Sequence, residues 1–86
     1  MAERITPGIY KHYKGHNYQV FGEARDSETG EVYILYKPLY EIPDADPEQL
    51  VVRPKEMFLE EVEIGDQLVP RFSLIEEKPS PFKNSI

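Results

Sequence analysis

The feature that most constrains this chain is a series of short apolar and aromatic stretches, each ended by turn residues. The longest, EVYILYKPLY at residues 31–40, is rich in β-branched and aromatic side chains, which favour a strand. Pro38 has no N–H to donate, so strand pairing must end or reach a sheet edge there. Residues 9–14 and 18–25 alternate between two faces, as strands do. Two further short strands are predicted, at residues 50–54 and 68–72.

The connections between these stretches are short. Residues 15–17 predict a tight connection, and the polar loop DSETGE at residues 26–31 predicts a hairpin. The segment KEMFLEEV after Pro54 is open to two interpretations, a single helical turn or another strand. The sequence contains no internal repeat and no helix of ordinary length.

Five or six short antiparallel strands with at most one short helical turn predict an all-β fold, and we expect a small SH3-like barrel. Barrel closure would leave no exposed sheet edge in a chain of 86 residues. An oligonucleotide-binding barrel is less favoured, because it usually needs more residues and a clearer helix. We expect residues 1–76 to form one domain and residues 77–86, with two prolines, to form a flexible C-terminal tail.

Composition argues against several classes of protein. The absence of cysteine removes disulfides, thiolate metal sites and a cysteine nucleophile. The net charge of −6 argues against general nucleic-acid binding, which requires clustered cations. The longest apolar run, residues 32–36, is too short to span a membrane, and the N-terminal residues MAERITPG lack the apolar core of a signal peptide. We therefore expect a cytoplasmic protein that does not enter a membrane.

All six tyrosines lie between residues 10 and 40, in a half of the chain where acidic and basic residues balance. One interpretation is an aromatic cage or stacking platform, which would hold a cation or an aromatic ring. The other is structural, because tyrosine suits a half-buried pleated surface with its hydroxyl in water. In the predicted barrel, we expect the tyrosine rings to gather along one wall.

The two histidines and the polar loop are weaker candidates for chemistry. His12 and His16 are four residues apart, but on a strand and a turn they do not share a face as they would on a helix. The loop at residues 26–31 offers oxygens to a cation or phosphate, yet Ser27 and Thr29 commonly bond to nearby backbone instead. No nucleophile with an adjacent base stands out. We predict no metal, no cofactor and no catalytic residue.

Arg53 and Arg71 each lie beside a proline, in the stretches VRP and PRF. A guanidinium can hold a carboxylate or a phosphate through two parallel hydrogen bonds. The alternative is an internal ion pair, for which the candidate partners are Glu28, Glu31 and Glu60. An arginine that lacks such a partner beside Tyr10 or Tyr36 would favour an anionic ligand.

The order of four motifs resembles a known family. PGIYKHYKGHNYQVFGEA, SETGEVYILYKPLY, VRPKEMFLEEV and VPRF follow one another over roughly residues 7–72, as in the bacterial family domain of unknown function 1653. The resemblance implies a small all-β protein and implies no established activity. The segment EIPDADPEQL, at residues 41–50, is longer than the linker that the resemblance implies.

These observations favour a small binding module that recognises an anionic or aromatic small ligand, a nucleotide or a peptide through a tyrosine-rich face. The candidate ligand-binding residues are Tyr10, His12, Lys14, Ser27, Glu28, Thr29, Tyr36, Arg53 and Arg71. One alternative is a structural protein that uses the same face for homodimerisation, since a small core often gains stability by association. An enzyme of unknown type ranks last.

Overall fold

The structure, a computed structural model, describes residues 4–46 and 48–81, and in this part of the chain strands dominate. The elements in chain order are β1 (Gly8–His12), β2 (Asn17–Arg25), β3 (Val32–Pro38), β4 (Val51–Pro54), α1 (Lys55–Phe58), β5 (Glu61–Ile64), β6 (Gln67–Pro70) and β7 (Phe72–Glu77). Five strands form one antiparallel sheet in the order β4-β3-β2-β1-β7, and β5 pairs with β6 in a separate two-stranded sheet. Sequential hairpins therefore build the centre of the fold.

Short turns and two irregularities shape the five-stranded sheet. The β1–β2 turn is closed by the N–H of His12, which donates to the carbonyl of His16 at 2.7 Å. The register of β2 against β3 shifts between Val20 and Gly22, and that of β7 against β1 shifts beside Tyr10. Bulges of this kind bend a strand and increase its twist.

The core lies on one side of the five-stranded sheet, here called the inner face. Strand alternation brings apolar side chains to this face, and α1 adds one more ring from above. The buried cluster consists of Tyr10, Val20, Ile34, Tyr36, Phe58 and Phe72. The Phe58 ring stacks on that of Phe72, with ring centroids 4.1 Å apart. A helix of four residues has little stability of its own, so this packing holds it in place.

The prediction of an all-β fold with at most one short helical turn is confirmed. The prediction of a closed SH3-like barrel is wrong, because the described strands do not close into a cylinder. Instead β4 and β7 form the two outer edges of an open sheet. The physical reason is that Phe58 of α1 covers the inner face, while β5 and β6 pair with each other instead of joining the large sheet. The described residues form seven strands, where five or six were expected.

Two segments differ in detail from the expectation. KEMFLEEV combines both of its interpretations, because its start forms α1 and its end begins β5. The predicted strand at residues 68–72 is divided at Arg71 into β6 and β7. The backbone of Arg71 turns there to donate to the carbonyl of Glu60 and to accept from the N–H of Tyr13, both at 2.9 Å.

The predicted domain boundary and tail remain predictions. Glu77, where the tail was expected to begin, is the last residue of β7 and lies opposite Gly8. The N–H of Lys78 still donates to the carbonyl of Pro7 at 3.1 Å. Residues 82–86 lie outside the described part of the chain.

Candidate functional site

Polar and aromatic side chains meet on the inner face of the large sheet. Register aligns some of them, whereas the long side chain of Arg53 reaches Tyr36 and Phe72 from farther along the sheet. His12 lies opposite Phe72 across β1 and β7, and Arg53 lies opposite Ile34 across β4 and β3. Directly opposed residues of an antiparallel pair point to the same side of the sheet. We call this group the arginine–tyrosine site, and its members are His12, Tyr18, Tyr36, Arg53, Arg71 and Phe72.

Tyr18 is the centre of the aromatic contacts at this site. Its ring lies edge-on to those of Tyr36 and Phe72, with centroid distances of 5.5 Å in both cases. Its hydroxyl shares a hydrogen bond of 3.0 Å with that of Tyr40, whose ring stacks on His16 at 4.1 Å. Edge-to-face and offset contacts at such distances are favourable for aromatic rings. The rings therefore form a continuous path from the core to an exposed rim.

Arg53 is held by aromatic groups and not by an acid. Its Nε donates to the Tyr36 hydroxyl at 3.2 Å, and its guanidinium carbon lies 5.7 Å from the centroid of the Phe72 ring. That second contact is in the range of a cation–π interaction. Among the described residues, no carboxylate lies within ion-pair distance of Arg53. The expected internal ion pair is therefore not formed by this arginine.

Arg71 forms the internal ion pair that was predicted. Its Nη2 donates to Glu60 Oε1 at 2.8 Å, and both side chains are partly exposed. The Nε of Arg71 is buried without a hydrogen-bond partner within the described ranges. Arg71 thus contributes positive charge to the site, while its donors are only partly used.

The electrostatics of the site are dominated by positive charge. The pKa of His12 lies below its ordinary value of 6.5, first because the imidazole is partly buried. The neighbouring charges that lower this pKa further are, in decreasing order of effect, those of Arg71, Arg53, Lys14 and His16. His12 Nδ1 accepts a hydrogen bond from the backbone N–H of Lys14 at 3.1 Å. The neutral imidazole consequently carries its proton on Nε2.

Burial also changes the pKa of the Tyr18 hydroxyl at the centre of the site. It is the main cause that raises the pKa of Tyr18, and the hydrogen bond with Tyr40 adds to it. The Tyr18 hydroxyl therefore stays protonated at neutral pH and can donate one hydrogen bond.

The polar loop is not brought to this site. Ser27, Glu28 and Thr29 follow β2, whereas His12 precedes it. A strand of nine residues therefore separates the loop from His12 by roughly 25 Å. Asp26 Oδ1 accepts the N–H groups of Glu28 and Thr29 at 2.8 and 3.1 Å, and these bonds lower the pKa of Asp26. The loop thus uses its own polar groups for local turn structure.

The remaining candidates divide between core and rim. Tyr10 is 7% exposed, and its hydroxyl donates to the carbonyl of Thr6 at 2.7 Å, so it belongs to the core. Lys14 is exposed in the β1–β2 turn, where its ammonium lies 5.8 Å from the centre of the Tyr13 ring. His12, Tyr36, Arg53 and Arg71 are the candidates that meet in the site.

Sequence reasoning missed Tyr18, Tyr40 and Phe72 as members of the site or its rim. Tyr18 was recoverable, because a short β1–β2 turn places it opposite Tyr10, on the same face as His12. Phe72 was not, because its partner His12 is sixty residues away in sequence and the pairing depends on how the chain returns.

Two further properties bear on function. Within the described ranges, no group of three or more histidine, aspartate or glutamate side chains is placed to hold a metal ion. No helix in this part of the chain has the length and apolar character needed to cross a membrane.

Comparisons with known proteins agree on one relationship. The family described as "Protein of unknown function (DUF1653)" matches residues 8–74. A crystal structure of a DUF1653 protein from Bordetella bronchiseptica has 35% sequence identity to this chain and a TM-score of 0.75. The match covers 86% of this chain and 91% of the Bordetella chain. No curated protein matches the sequence.

Proposed function

Since the chain belongs to DUF1653, a family of unknown function, we propose from its own geometry that it is a small binding module. Its arginine–tyrosine site takes a small anionic ligand that carries an aromatic ring, such as a nucleotide. The observation that carries this proposal is Arg53, a partly buried cation beside Tyr36 with no carboxylate partner in the described part of the chain.

The anionic part of the ligand follows from the charge of Arg53. A partly buried charge is screened by salt less than a surface charge. Its planar guanidinium can donate two parallel hydrogen bonds to a phosphate or carboxylate. Nε is already engaged by Tyr36, which fixes the side chain and leaves the Nη groups for a ligand. Arg71 adds to the positive potential, although Glu60 balances part of its charge. The neutral His12 offers its Nε2–H as a hydrogen-bond donor instead of a charge.

The aromatic part follows from the rim. Tyr40 is 37% exposed and His16 is exposed, and their rings are already stacked on each other. An aromatic ring of the ligand would extend this stack, and contacts of this kind are worth roughly 1–3 kcal/mol for a nucleic-acid base. Tyr18 joins the rim to Arg53 through its contact with Tyr36.

The test is calorimetric titration of the full chain with adenosine monophosphate, adenosine and inorganic phosphate. We expect the monophosphate to bind more tightly than either part alone. Arg53→Gln should weaken monophosphate binding about tenfold or more, because a hydrogen bond to a charged group is worth roughly 1.5–3 kcal/mol. Arg25→Gln is the control, since it removes the same charge from an exposed residue at the end of β2.

Two results would overturn the proposal. One is equal affinity for the monophosphate and for adenosine, which would show that the anion is not recognised. The other is an equal effect of Arg53→Gln and Arg25→Gln, which would reduce the role of Arg53 to general charge.

Homodimerisation is the second candidate, here through β4 and the residue before it and not through the tyrosine-rich face expected from the sequence. The reason is that apolar side chains are exposed at this outer edge of the sheet. Leu50, Val51 and Val52 are 43%, 37% and 53% exposed. Unpaired edge strands can pair with another chain. Sedimentation velocity over a range of protein concentrations distinguishes the two candidates. A monomer at every concentration would rule out homodimerisation.

A further inference from the structure

We propose that the protein has a second binding site, for a medium-chain aliphatic carboxylate, between the β5–β6 hairpin and the outer face of the large sheet. The space there is a shallow groove of about 430 Å³, here called the hairpin groove. The residues that line it include Lys11, Ile64, Gln67, Val69, Ser73 and Ile75.

Strand register explains why two walls face each other across a gap. Ile64 lies opposite Gln67 in the hairpin, so these side chains share one face. Lys11 lies opposite Ser73 and alternates with Tyr10, so it points away from the core. His12 also lines one end of the groove, and the two sites adjoin at that residue.

The apolar walls argue for an aliphatic occupant. Ile64 and Ile75 are 50% and 54% exposed, although they border the same groove. A two-stranded hairpin is only marginally stable by itself, and β5 and β6 pack only lightly on the large sheet. An alkyl chain in the groove would bury both walls and remove their apolar surface from water.

Lys11 argues for a negatively charged head group. Within the described ranges no carboxylate lies at ion-pair distance from Lys11, although the chain has a net charge of −6. Glu76, farther along β7, is paired with Lys78 at 3.5 Å. Lys14 beyond Tyr13 adds a second positive charge near the same end. Apolar walls with positive charge at the rim complement an amphipathic anion.

The size of the groove argues for a small molecule. Its volume of about 430 Å³ lies at the lower end of the roughly 300–1,000 Å³ typical of small-molecule sites. An α-helix with its side chains is roughly 10–12 Å across and would not enter a groove of this volume.

The experiment titrates the full chain with octanoate, 1-octanol and octylamine below their aggregation limits, followed by calorimetry and amide chemical shifts. We expect octanoate to bind more tightly than the alcohol and the amine. Lys11→Gln should weaken octanoate binding roughly fivefold, as for an exposed ion pair, and leave octanol binding unchanged. Ile75→Ser should weaken both, and it should fold because Ile75 is largely exposed.

Lys37→Gln is the matched control. It removes one positive charge from β3 on the same outer face, two strands away from β1. Octanoate affinity should be unchanged in this variant, and also in Arg53→Gln, whose side chain is on the inner face. Arg53→Gln therefore distinguishes the two sites, because it should weaken binding of the monophosphate and leave binding of octanoate unchanged. Either proposal can then fail without the other.

Three results would overturn the inference. One is equal binding of octanoate and octanol, and another is an equal effect of Lys11→Gln and Lys37→Gln. The third is a concentration-dependent dimer that Ile64→Ser dissociates, which would show that a second copy of the chain covers the groove.

Discussion

Glu23 illustrates how one side chain can connect three parts of this small fold. Its Oε2 accepts hydrogen bonds from Lys55 Nζ at the start of α1 and from the backbone N–H of Ile5, both at 2.7 Å. Burial alone would raise the pKa of Glu23. The hydrogen bonds from Lys55 and Ile5, with the charges of Lys55 and Arg4, outweigh burial and hold this pKa below its usual value of 4.5.

We predict that Glu23→Gln lowers the free energy of unfolding by about 1–2 kcal/mol at pH 7, because the amide loses the ion pair and keeps a weaker acceptor. A lowered folded-state pKa means that ionised Glu23 stabilises the protein above the unfolded-state pKa. This contribution disappears as pH falls through the folded-state pKa. Urea unfolding of both proteins at several pH values measures the difference.

Glu28→Gln is the control for Glu23→Gln, because Glu28 is an exposed loop carboxylate without an ion pair in the described part of the chain. It should change the free energy of unfolding little at any pH. An equal loss from Glu23→Gln above and below the folded-state pKa would contradict the assignment of the effect to the ionised carboxylate.

At the scale of elements, the pairing of β1 with β7 brings the end of the described chain back to its beginning. The two strands meet so closely at Gly8 that a Cβ there would contact the carbonyl oxygen of Glu76. Glycine is therefore required at this position by the neighbouring backbone. The turn signal of the adjacent Pro7 does not reveal this requirement, because Glu76 is distant in sequence.

We predict that Gly8→Ala destabilises the protein by roughly 1–3 kcal/mol, the usual cost of forcing extra volume into a packed site. Gly22→Ala is a matched control, because its φ of 151° is close to the 157° of Gly8 and a Cβ at Gly22 would meet no atom within 4 Å. Urea unfolding should give a larger loss for Gly8→Ala. Equal losses would mean that backbone conformation, and not the contact with Glu76, decides the cost.

At the scale of the whole molecule, the two sheets differ in how well they are supported. The five-stranded sheet carries the buried cluster on its inner face, whereas β5 and β6 contribute no buried residue to that cluster. Regions with few buried contacts open at lower free energy than the core. The arginine–tyrosine site is thus built on the better-supported part of the fold.

We predict that backbone amides of β5 and β6 exchange with solvent through a smaller opening free energy than those of β2 and β3. The reason is the marginal stability of a hairpin that packs weakly on the rest of the chain. Hydrogen exchange followed by NMR measures both groups in one sample, so β2 and β3 serve as the internal control. Equal protection would show that the hairpin unfolds only with the whole domain.

The sequence by itself determined the all-β class, most strand positions and the family. These properties depend on local patterns, since alternation with a period of two and turn residues act over a few positions. It also identified Arg53 and Tyr36 as candidates.

Only the tertiary structure decided that Arg53 lacks an acidic partner among the described residues while Arg71 has one, and that the polar loop lies at the far end of β2. It also decided that the sheet stays open under Phe58. Each of these outcomes depends on register and packing between residues distant in the chain, which local residue patterns do not specify.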